Sequence, residues 1–321
     1  MKKLLFLNYS NTDACAHYRS MGIAKDLAKQ AGVDITVLEY RETYLDDTLQ
    51  GIDMVMLQRP CTADTLAICR FAKEVGITVW CDFDDNLLSV PSHHVNYLAY
   101  GSEEVRGYVK GCLELADVVT VTNKALQEVY GAYNKNTIIV PNALNSDKPK
   151  RAANDANVIA WRGGDSHRLD IQSVSKEINA ATMRFRDWKF AYMGNKPIFL
   201  PKFPNVEHIL PMKVQEYMDY LYNFAPKVLQ VPLVDDKFNR GKSECAGIEA
   251  VHCGSACLVP SWWNIPAIKY STPEEYATAL NAMLSGEIDL AALNALAWEY
   301  VQDNWLLENV NKLRCEILRN L

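Results

Sequence analysis

Short apolar segments alternate with longer segments of helical periodicity along almost the whole chain, and this alternation constrains the fold more than any other feature. In the first half, the predicted strands are residues 4–8, 35–39, 54–58, 77–82, 118–122 and 137–141. In the second half, they are residues 158–162, 190–194, 206–210, 228–234 and 256–259. Strands that are separated by helices form parallel sheets covered by helices on both faces. The sequence therefore predicts an α/β protein with two domains of this kind.

Helical periodicity and capping residues occupy the segments between the strands. The predicted helices include residues 17–29, 63–74, 103–116, 214–224 and 241–251. The clearest helix follows Thr272, because Pro273 and Glu275 complete a typical helix start and Gly286 ends the apolar periodicity. The segment 290–321 predicts terminal helices.

A polar segment separates the two series of strands and predicts a linker. Residues 146–157 read SDKPKRAANDAN, which contains no large apolar side chain. We predict a first domain over residues 1–146, a linker over 147–156 and a second domain over 157–288. The helices of residues 289–321 are expected to pack back toward the first domain. A chain of 321 residues is long enough for two domains of ordinary size.

Charge and cysteine content narrow the classes of function. There are 33 Lys and Arg residues against 39 Asp and Glu residues, for a net charge of -6. This balance disfavours a strongly basic nucleic-acid-binding protein, although a local basic groove stays possible. Nine cysteines occur without CxxC spacing, which favours reduced thiols over a zinc site. The start MKKLLFLNYS lacks a signal-peptide cleavage site, and no apolar run would span a bilayer, so we expect a cytoplasmic protein.

Ligands of parallel α/β sheets bind beyond the carboxyl ends of the strands, so polar residues that directly follow strands carry the most weight. The first such cluster is NYSNTDACAHYR, residues 8–19. Its polar loop leads into a helix whose amino end could hold an anion or orient an acceptor. An ordinary loop with solvated His17 and Arg19 is the alternative.

The second cluster is CDFDDN, residues 81–86, which places Asp82, Asp84 and Asp85 at the end of a strand. Clustered carboxylates raise one another's pKa, which suits a general base or a group that binds a hydroxyl. An Asp-x-Asp pair also ligates divalent metals, but by itself it is a weak signal. We therefore favour a metal-free role, with at least one of these residues in a turn or at a helix cap.

The third cluster is WRGGDSHRLD, residues 161–170, at the start of the second domain. Gly163 and Gly164 allow close approach of a ligand to the backbone, and Arg162 can pair with phosphate. His167 lies at the start of the following helix. A diphosphate fits this pattern, although it is not the dinucleotide fingerprint GxGxxG, and a plain tight turn is the alternative.

The fourth cluster is FNRGKSECAGIE, residues 238–249. Arg240 and Lys242 bring positive charge to a predicted helix start, and Ser243 adds a hydroxyl. Glu249 lies nearly two turns later and can accept hydrogen bonds from sugar hydroxyls. This pattern indicates a phosphate site, and a solvated position for Glu249 is the alternative.

Together these clusters resemble the family 4 glycosyltransferases. The resemblance rests on ADVVTVTNKAL at residues 116–126, IIVPNALN at residues 138–145 and FNRGKSECAGIEAVHCGSACLVPS at residues 238–261. It covers most of the chain and implies the GT-B fold, in which two Rossmann-like domains face each other across a cleft, here with C-terminal helices. It also implies transfer of a sugar from a nucleotide diphosphate sugar to a hydroxyl, with retention of configuration and without a metal or a tightly bound cofactor. UDP is the favoured nucleotide and GDP is possible.

The resemblance assigns roles residue by residue. In the second domain, Arg162 and Lys242 would contact the diphosphate and Glu249 would hold the ribose. The donor site would comprise Arg162, Gly163, Gly164, His167, Gly194, Lys213, Asn239, Lys242, Ser243 and Glu249. Many family members have a further glutamate where this chain has Gly241, and the stretch around Asn239, Lys242 and Ser243 would take its place.

The acceptor side lies in the first domain according to the same resemblance. Tyr18, Arg19, Asp82 and Asp85 would contact the acceptor. The catalytic candidates are Asp84, His17 and Lys242. The acceptor proton would pass to the departing phosphate or to Asp84, and the basic groups would stabilise the leaving diphosphate.

Other functions fit the same residues. A phage-type transferase acting on a hydroxymethylated DNA base would need a basic rim, and one is available at Lys25, Lys29, Lys148, Lys150, Arg151 and Arg168. The glycine at position 241 favours a module that binds a nucleotide sugar without catalysis. A two-domain periplasmic binding protein is disfavoured because the expected signal is missing. The sequence predicts no oligomeric state.

Overall fold

Two parallel sheets organise the chain in a computed structural model that describes residues 1–42, 45–200 and 202–321. Within these residues, each sheet has six strands. The first runs in the order β2-β1-β3-β4-β5-β6 and consists of β1 (Lys3–Asn8), β2 (Asp34–Glu39), β3 (Met54–Gln58), β4 (Thr78–Phe83), β5 (Val118–Val121) and β6 (Thr137–Ile139). The second runs in the order β12-β11-β10-β7-β8-β9 and consists of β7 (Val158–Gly163), β8 (Lys189–Gly194), β9 (Val206–Ile209), β10 (Val228–Gln230), β11 (Ala256–Pro260) and β12 (Ile268–Tyr270).

Helices connect most successive strands in both sheets, and further helices follow the last strand. They are α1 (Ala14–Arg19), α2 (Met21–Ala31), α3 (Leu45–Thr48), α4 (Ala63–Glu74), α5 (Tyr97–Tyr100), α6 (Glu103–Leu115), α7 (Lys124–Tyr130), α8 (Arg168–Ser173), α9 (Ser175–Arg184), α10 (Val214–Phe224), α11 (Cys245–His252), α12 (Pro273–Ser285), α13 (Leu290–Asn304) and α14 (Leu307–Asn320). Short 3-10 turns occupy Tyr40–Glu42, Asp165–His167 and Asn239–Gly241.

The chain divides into two units that are not continuous in sequence. The first unit comprises Met1–Asn145, Lys237–Ser243 and Trp305–Leu321. The second comprises Ser146–Asp236 and Glu244–Asn304. Helix α13 therefore belongs to the second unit, whereas α14 belongs to the first, where it packs against α2. The short segment Lys237–Ser243 comes from the middle of the second series of strands but belongs to the first unit.

Burial on both faces explains why the strands are apolar without alternation. In β1, Leu5 and Leu7 contribute to the core on one face of the first sheet. Leu4 and Phe6 contribute to the core on the other face, which α2 and α14 cover. The second unit has a core in which strand residues such as Phe190 pack with side chains of α9 and α12. The predicted parallel α/β architecture is confirmed.

Helix starts differ from the sequence prediction at two places. The predicted helix 17–29 is two helices, because Ser20 (φ −137°, ψ −79°) interrupts it between α1 and α2. The predicted helix 241–251 begins only at Cys245, because Lys242 has extended backbone angles (φ −68°, ψ 134°). Apolar spacing alone does not mark these breaks, which are set by backbone angles and local hydrogen bonds.

We find no helix among the described residues with the length and hydrophobicity of a membrane span.

A buried ion pair ties several segments of the first unit together. Arg19, at the end of α1, donates from Nε and Nη2 to the two carboxylate oxygens of Asp82 in β4, at 2.8 and 2.6 Å. Its Nη1 donates to the carbonyl oxygen of Val140, at 2.7 Å. Asp82 also accepts from the Thr120 hydroxyl of β5, at 2.5 Å. The Arg19 and Asp82 side chains are 0% and 4% exposed, so neither charge has water as a substitute partner.

We expect Arg19→Met to destabilise the protein by about 3–5 kcal/mol, because it leaves the Asp82 carboxylate buried without its cation. Urea unfolding measures this loss. The matched control is Arg41→Met, since the Arg41 side chain is 80% exposed although it also pairs with a carboxylate. The control should change stability by less than about 0.5 kcal/mol. Equal effects of the two substitutions would contradict the structural role of the buried pair.

Candidate functional site

The order of each sheet locates the place where ligands bind in parallel α/β proteins. The first strand of the second unit, β7, lies between β8 and β10. The chain adds β8 and β9 on one side of β7 and then returns to add β10, β11 and β12 on the other side, so the strand order reverses between β7 and β10. In the first unit the same reversal lies between β1 and β3. Loops that leave the carboxyl ends of the strands at such a switch point diverge and leave a crevice.

In the second unit, a buried carboxylate lies at the carboxyl ends of the strands, which form the carboxyl edge of the sheet. It accepts hydrogen bonds from two side chains. Glu249 of α11 is 3% exposed. Its Oε1 accepts from Nη2 of Arg162, at the end of β7, at 3.2 Å, and its Oε2 accepts from the Tyr217 hydroxyl, at 2.7 Å. Burial raises the pKa of Tyr217 well above its ordinary value, and the charge of Glu249 adds to the effect, so the phenol stays a donor. Tyr217 is a site residue that the sequence analysis did not identify.

Glycines beside this carboxylate bring backbone groups close together. Gly194, at the end of β8, has φ +103°, and a Cβ at this position would lie 2.3 Å from the carbonyl oxygen of Gly163. The carbonyl oxygen of Gly194 itself accepts from Nε2 of His208, at 2.8 Å. A Cβ at Gly164 would meet nothing within 4 Å. Gly164 thus has open space beside its backbone, whereas Gly194 packs closely on Gly163, and the role of these glycines in ligand binding stays a prediction.

Two further predicted donor residues of the second unit, His167 and Lys213, each contact an acidic residue three positions later. His167 ends the 3-10 turn that follows β7, and its Nδ1 lies 3.0 Å from Oδ2 of Asp170. Lys213 is exposed and precedes α10, where its backbone N–H donates to Oε2 of Glu216, at 3.3 Å.

Three predicted donor residues, Asn239, Lys242 and Ser243, belong to the first unit. Nζ of Lys242 pairs with Oδ1 of Asp85 at 2.7 Å and lies 4.4 Å from the ring centre of Phe238. The Ser243 hydroxyl accepts from Nδ2 of Asn142, at 2.8 Å. Their assignment to the donor stays a prediction, since Lys242 pairs with Asp85, a predicted acceptor residue, and Ser243 bonds to Asn142 of the first unit.

Packing explains the glycine at position 241. A Cβ there would lie 2.8 Å from Cδ2 of Leu126 and 3.3 Å from Cβ of Asn86. Both neighbours are buried side chains of the first unit. A glutamate at this position would have to displace them.

Arg59 is the most prominent residue of the first unit that the sequence analysis missed. It directly follows β3 and has φ +51°, a left-handed conformation that is strained for a side chain of this size. Its guanidinium pairs with Asp84 and, at 2.7 Å, with Oδ2 of Asp85. The signal in the sequence is a basic residue placed between a buried strand and Pro60. Asp84, Asp85, Arg59 and Lys242 thus form one partly buried cluster of alternating charges.

The other residues predicted to contact the acceptor or to act in catalysis in the first unit are buried or packed against protein side chains. The sequence predicts acceptor contacts for Arg19 and Asp82, but the structure buries both and bonds them to each other. Tyr18 is also buried, and the His17 ring packs edge-on against it at 4.9 Å. Asp13, which the sequence analysis did not single out, caps α1 by accepting from the N–H of Ala16, at 2.7 Å. Burial raises the pKa of Asp13 above its ordinary value.

Among the described residues, no group of three or more His, Cys, Asp or Glu side chains is arranged to hold a metal ion. The carboxylates of Asp82, Asp84 and Asp85 are each paired with an arginine.

Comparison with known proteins identifies the fold. No protein-family model and no curated protein sequence matches the chain. Solved structures do match, with low identity. An α-glucosyltransferase in complex with UDP and a 13-mer DNA containing an HMU base is 12% identical, with 99% of both chains covered and a TM-score of 0.66. A UDP-forming trehalose-phosphate synthase from Burkholderia xenovorans is 13% identical, with 97% of this chain and 84% of that chain covered and a TM-score of 0.61.

A third similar structure is a UDP-GlcNAc 2-epimerase from Neisseria meningitidis bound to UDP-GlcNAc. It is 12% identical, with 100% of both chains covered and a TM-score of 0.57. Likeness at this identity establishes the fold, and it confirms the predicted pair of Rossmann-like domains of the GT-B type. Because an epimerase shares this fold, the reaction has to be argued from the side chains.

The two glycines at the edge of the second sheet give a test of the local geometry. We expect Gly194→Ala to destabilise the protein by about 1–3 kcal/mol, because φ is positive and the new Cβ would collide with the backbone of Gly163. Gly164→Ala should change the unfolding midpoint little, since its Cβ meets open space. Thermal unfolding of both variants measures the difference. Equal stability of the two variants would show that the backbone of this edge is arranged differently.

Proposed function

We propose that this chain is a glycosyltransferase that moves a sugar from a nucleotide diphosphate sugar to an acceptor hydroxyl, with retention of configuration. The observation that carries the proposal is the buried Glu249 carboxylate, bonded to Arg162 and Tyr217 at the switch point of the second sheet. It supplies acceptor oxygens for ribose hydroxyls beside a cation for phosphate. The similarity in fold to a UDP-bound α-glucosyltransferase over 99% of both chains supports the same class of reaction.

UDP is the nucleotide that we favour, and GDP is the second choice. Similar structures are described as bound to UDP, as UDP-forming or as bound to UDP-GlcNAc. In our proposal Glu249 binds the ribose, and Arg162 with the backbone at Gly164 binds the diphosphate. The positive charge that stabilises the leaving diphosphate comes from side chains, and the proposed reaction needs no metal ion or tightly bound cofactor.

We assign the cluster of Arg59, Asp84, Asp85 and Lys242 in the first unit to the acceptor. Asp84 can accept a hydrogen bond from the attacking hydroxyl while Arg59 fixes its orientation. The proton then passes to Asp84 or to the departing phosphate. The resemblance to family 4 assigns Lys242 to the diphosphate, but the ion pair with Asp85 favours a role in ordering the acceptor carboxylates.

The donor site is tested by Glu249→Gln, which keeps the size of the side chain and removes its charge. A charge-assisted hydrogen bond contributes about 1.5–3 kcal/mol, so UDP binding should weaken about 10- to 100-fold. Isothermal titration with UDP, GDP, ADP, CDP and dTDP measures the affinity and identifies the base. The matched control is Glu308→Gln, because the Glu308 side chain is 77% exposed and belongs to the first unit. Unchanged UDP binding by Glu249→Gln would show that the assigned donor site is wrong.

Turnover separates transfer from the two alternatives that share nucleotide binding. A transferase releases UDP from a UDP-sugar faster when the acceptor is present, and the anomeric proton coupling of the product reports retention. An epimerase would change the sugar of the nucleotide without an acceptor, which NMR of the nucleotide sugar detects. A module that only binds would do neither.

We expect Asp84→Asn to lower the transfer rate and to leave the affinity for UDP within about twofold, since an acceptor contact contributes to the reaction rather than to donor binding.

DNA with a hydroxymethylated base is the second candidate acceptor, and the DNA-bound α-glucosyltransferase is the observation that favours it. A net charge of -6 weighs against it. Binding to DNA releases counterions, so two phosphate contacts already weaken it about tenfold between about 50 and about 200 mM salt. If DNA is the acceptor, the transfer rate at low DNA concentration should fall by at least this factor. A rate with a small acceptor should barely change over the same range, which provides the control.

A further inference from the structure

A single carboxylate joins the two loops that flank the switch point of the second sheet. Asp170 lies in α8 and is 4% exposed. Its Oδ1 accepts from the backbone N–H of Val234, in the loop that follows β10, at 3.0 Å. Its Oδ2 lies 3.0 Å from Nδ1 of His167, in the turn that follows β7. Asp170 therefore fixes both loops at the place where ligands bind in sheets of this type.

The contact with Asp170 determines which nitrogen of His167 faces a ligand. A ring nitrogen that faces a carboxylate carries a proton and donates it, so Nδ1 is the protonated nitrogen and the ring cannot rotate freely. In the described part of the chain, Nε2 of His167 has no hydrogen-bond partner. The side chain is 24% exposed, so a ligand can reach this nitrogen.

The chemistry of this pair selects an anionic ligand. A phosphate oxygen that approaches Nε2 is a hydrogen-bond acceptor, so in the complex the ring would donate from Nδ1 to Asp170 and from Nε2 to the phosphate. Arg162, near the end of β7, supplies a second cation. Gly164, which directly precedes the turn that contains His167, supplies an open backbone position.

We propose that His167 binds the diphosphate of the donor through Nε2 and that Asp170 is the positioning residue that orients His167 for this contact. The proposal rests on the proposed function and deepens it, because it names the group that binds the diphosphate and the residue through which that group is controlled. Asp170 is not expected to touch the ligand, since both of its oxygens face protein groups.

Two substitutions of His167 separate the roles of its ring nitrogens. The amide of a glutamine reaches the position of Nε2, whereas the amide of an asparagine reaches only that of Nδ1. We expect His167→Asn to weaken UDP binding at least about tenfold, as for loss of a charge-assisted hydrogen bond. His167→Gln should retain UDP binding within about threefold, since its N–H can still donate to a phosphate oxygen. Isothermal titration measures UDP, and ligand-observed NMR measures uridine, whose binding neither variant should change.

A double-mutant cycle tests the role of Asp170. Asp170→Asn should weaken UDP binding about three- to tenfold in the protein with His167 and less than about twofold in the His167→Asn variant. If Asp170 serves only to connect the two loops, the loss will be the same in both backgrounds, and the proposal is then wrong. Nitrogen-15 NMR of the wild-type histidines gives a second measurement that does not depend on the stability of an Asp170 variant. A protonated Nδ1 before UDP is added, and a large change at Nε2 on binding, are expected for His167.

The results distinguish this proposal from the proposed function. If the wild-type protein binds none of the nucleotides, both are overturned. If it binds UDP and His167→Asn binds UDP as tightly, the diphosphate role of His167 is overturned while the donor site of Glu249 and Arg162 stands. Equal losses for UDP and uridine in His167→Asn would indicate a general distortion of the site and would also overturn the proposal.

Discussion

The buried ion pair between Arg19 and Asp82 is the interaction on which the edge of the first sheet depends. Asp82 lies one residue before the end of β4, and its bond to Arg19 is buried in the core. This bond therefore fixes the end of β4, where the loop with Asp84 and Asp85 begins. The carbonyl oxygen of Asp82 also accepts from the backbone N–H of Arg59, at 2.7 Å. The same residue thus fixes the strained conformation of Arg59 and the position of the two carboxylates that follow. Two buried charges cost much desolvation energy, which the hydrogen bonds from Arg19 and Thr120 offset only when every partner is present.

In both units a charged side chain connects two loops at the carboxyl ends of neighbouring strands. In the second unit, a buried carboxylate of α8 connects the loops that leave β7 and β10. In the first unit, a cation that leaves β3 connects to the carboxylates that follow β4. In each case a charged group with little exposure is held by partners in neighbouring loops, so its orientation is set without a ligand. Such preorganisation lowers the cost of ordering the site on binding.

The fold class and most strands could be predicted because strands buried on both faces are apolar throughout, and the helices between them need caps that short motifs reveal. The short strand β12 was missed, since only one of its three residues is buried and they form no apolar run. The start of α11 could not, since the extended conformation of Lys242 depends on contacts that no local pattern shows. The same limit applies to the side chains. The resemblance to the family 4 glycosyltransferases placed Glu249 and Arg162 at one site, and a hydrogen bond joins them in the structure. Arg59 was missed because one basic residue after a strand is no motif, and its role appears only when Asp84 and Asp85 are brought to it from the next strand.

The glycine at position 241 illustrates how packing can decide chemistry. A family 4 glycosyltransferase would often have a glutamate there to face the sugar, but here even a Cβ would press against Leu126 and Asn86 of the first unit. The segment Lys237–Ser243 packs so closely on that unit that a larger side chain would have to push it away. The departure from the family pattern therefore follows from packing within the first unit.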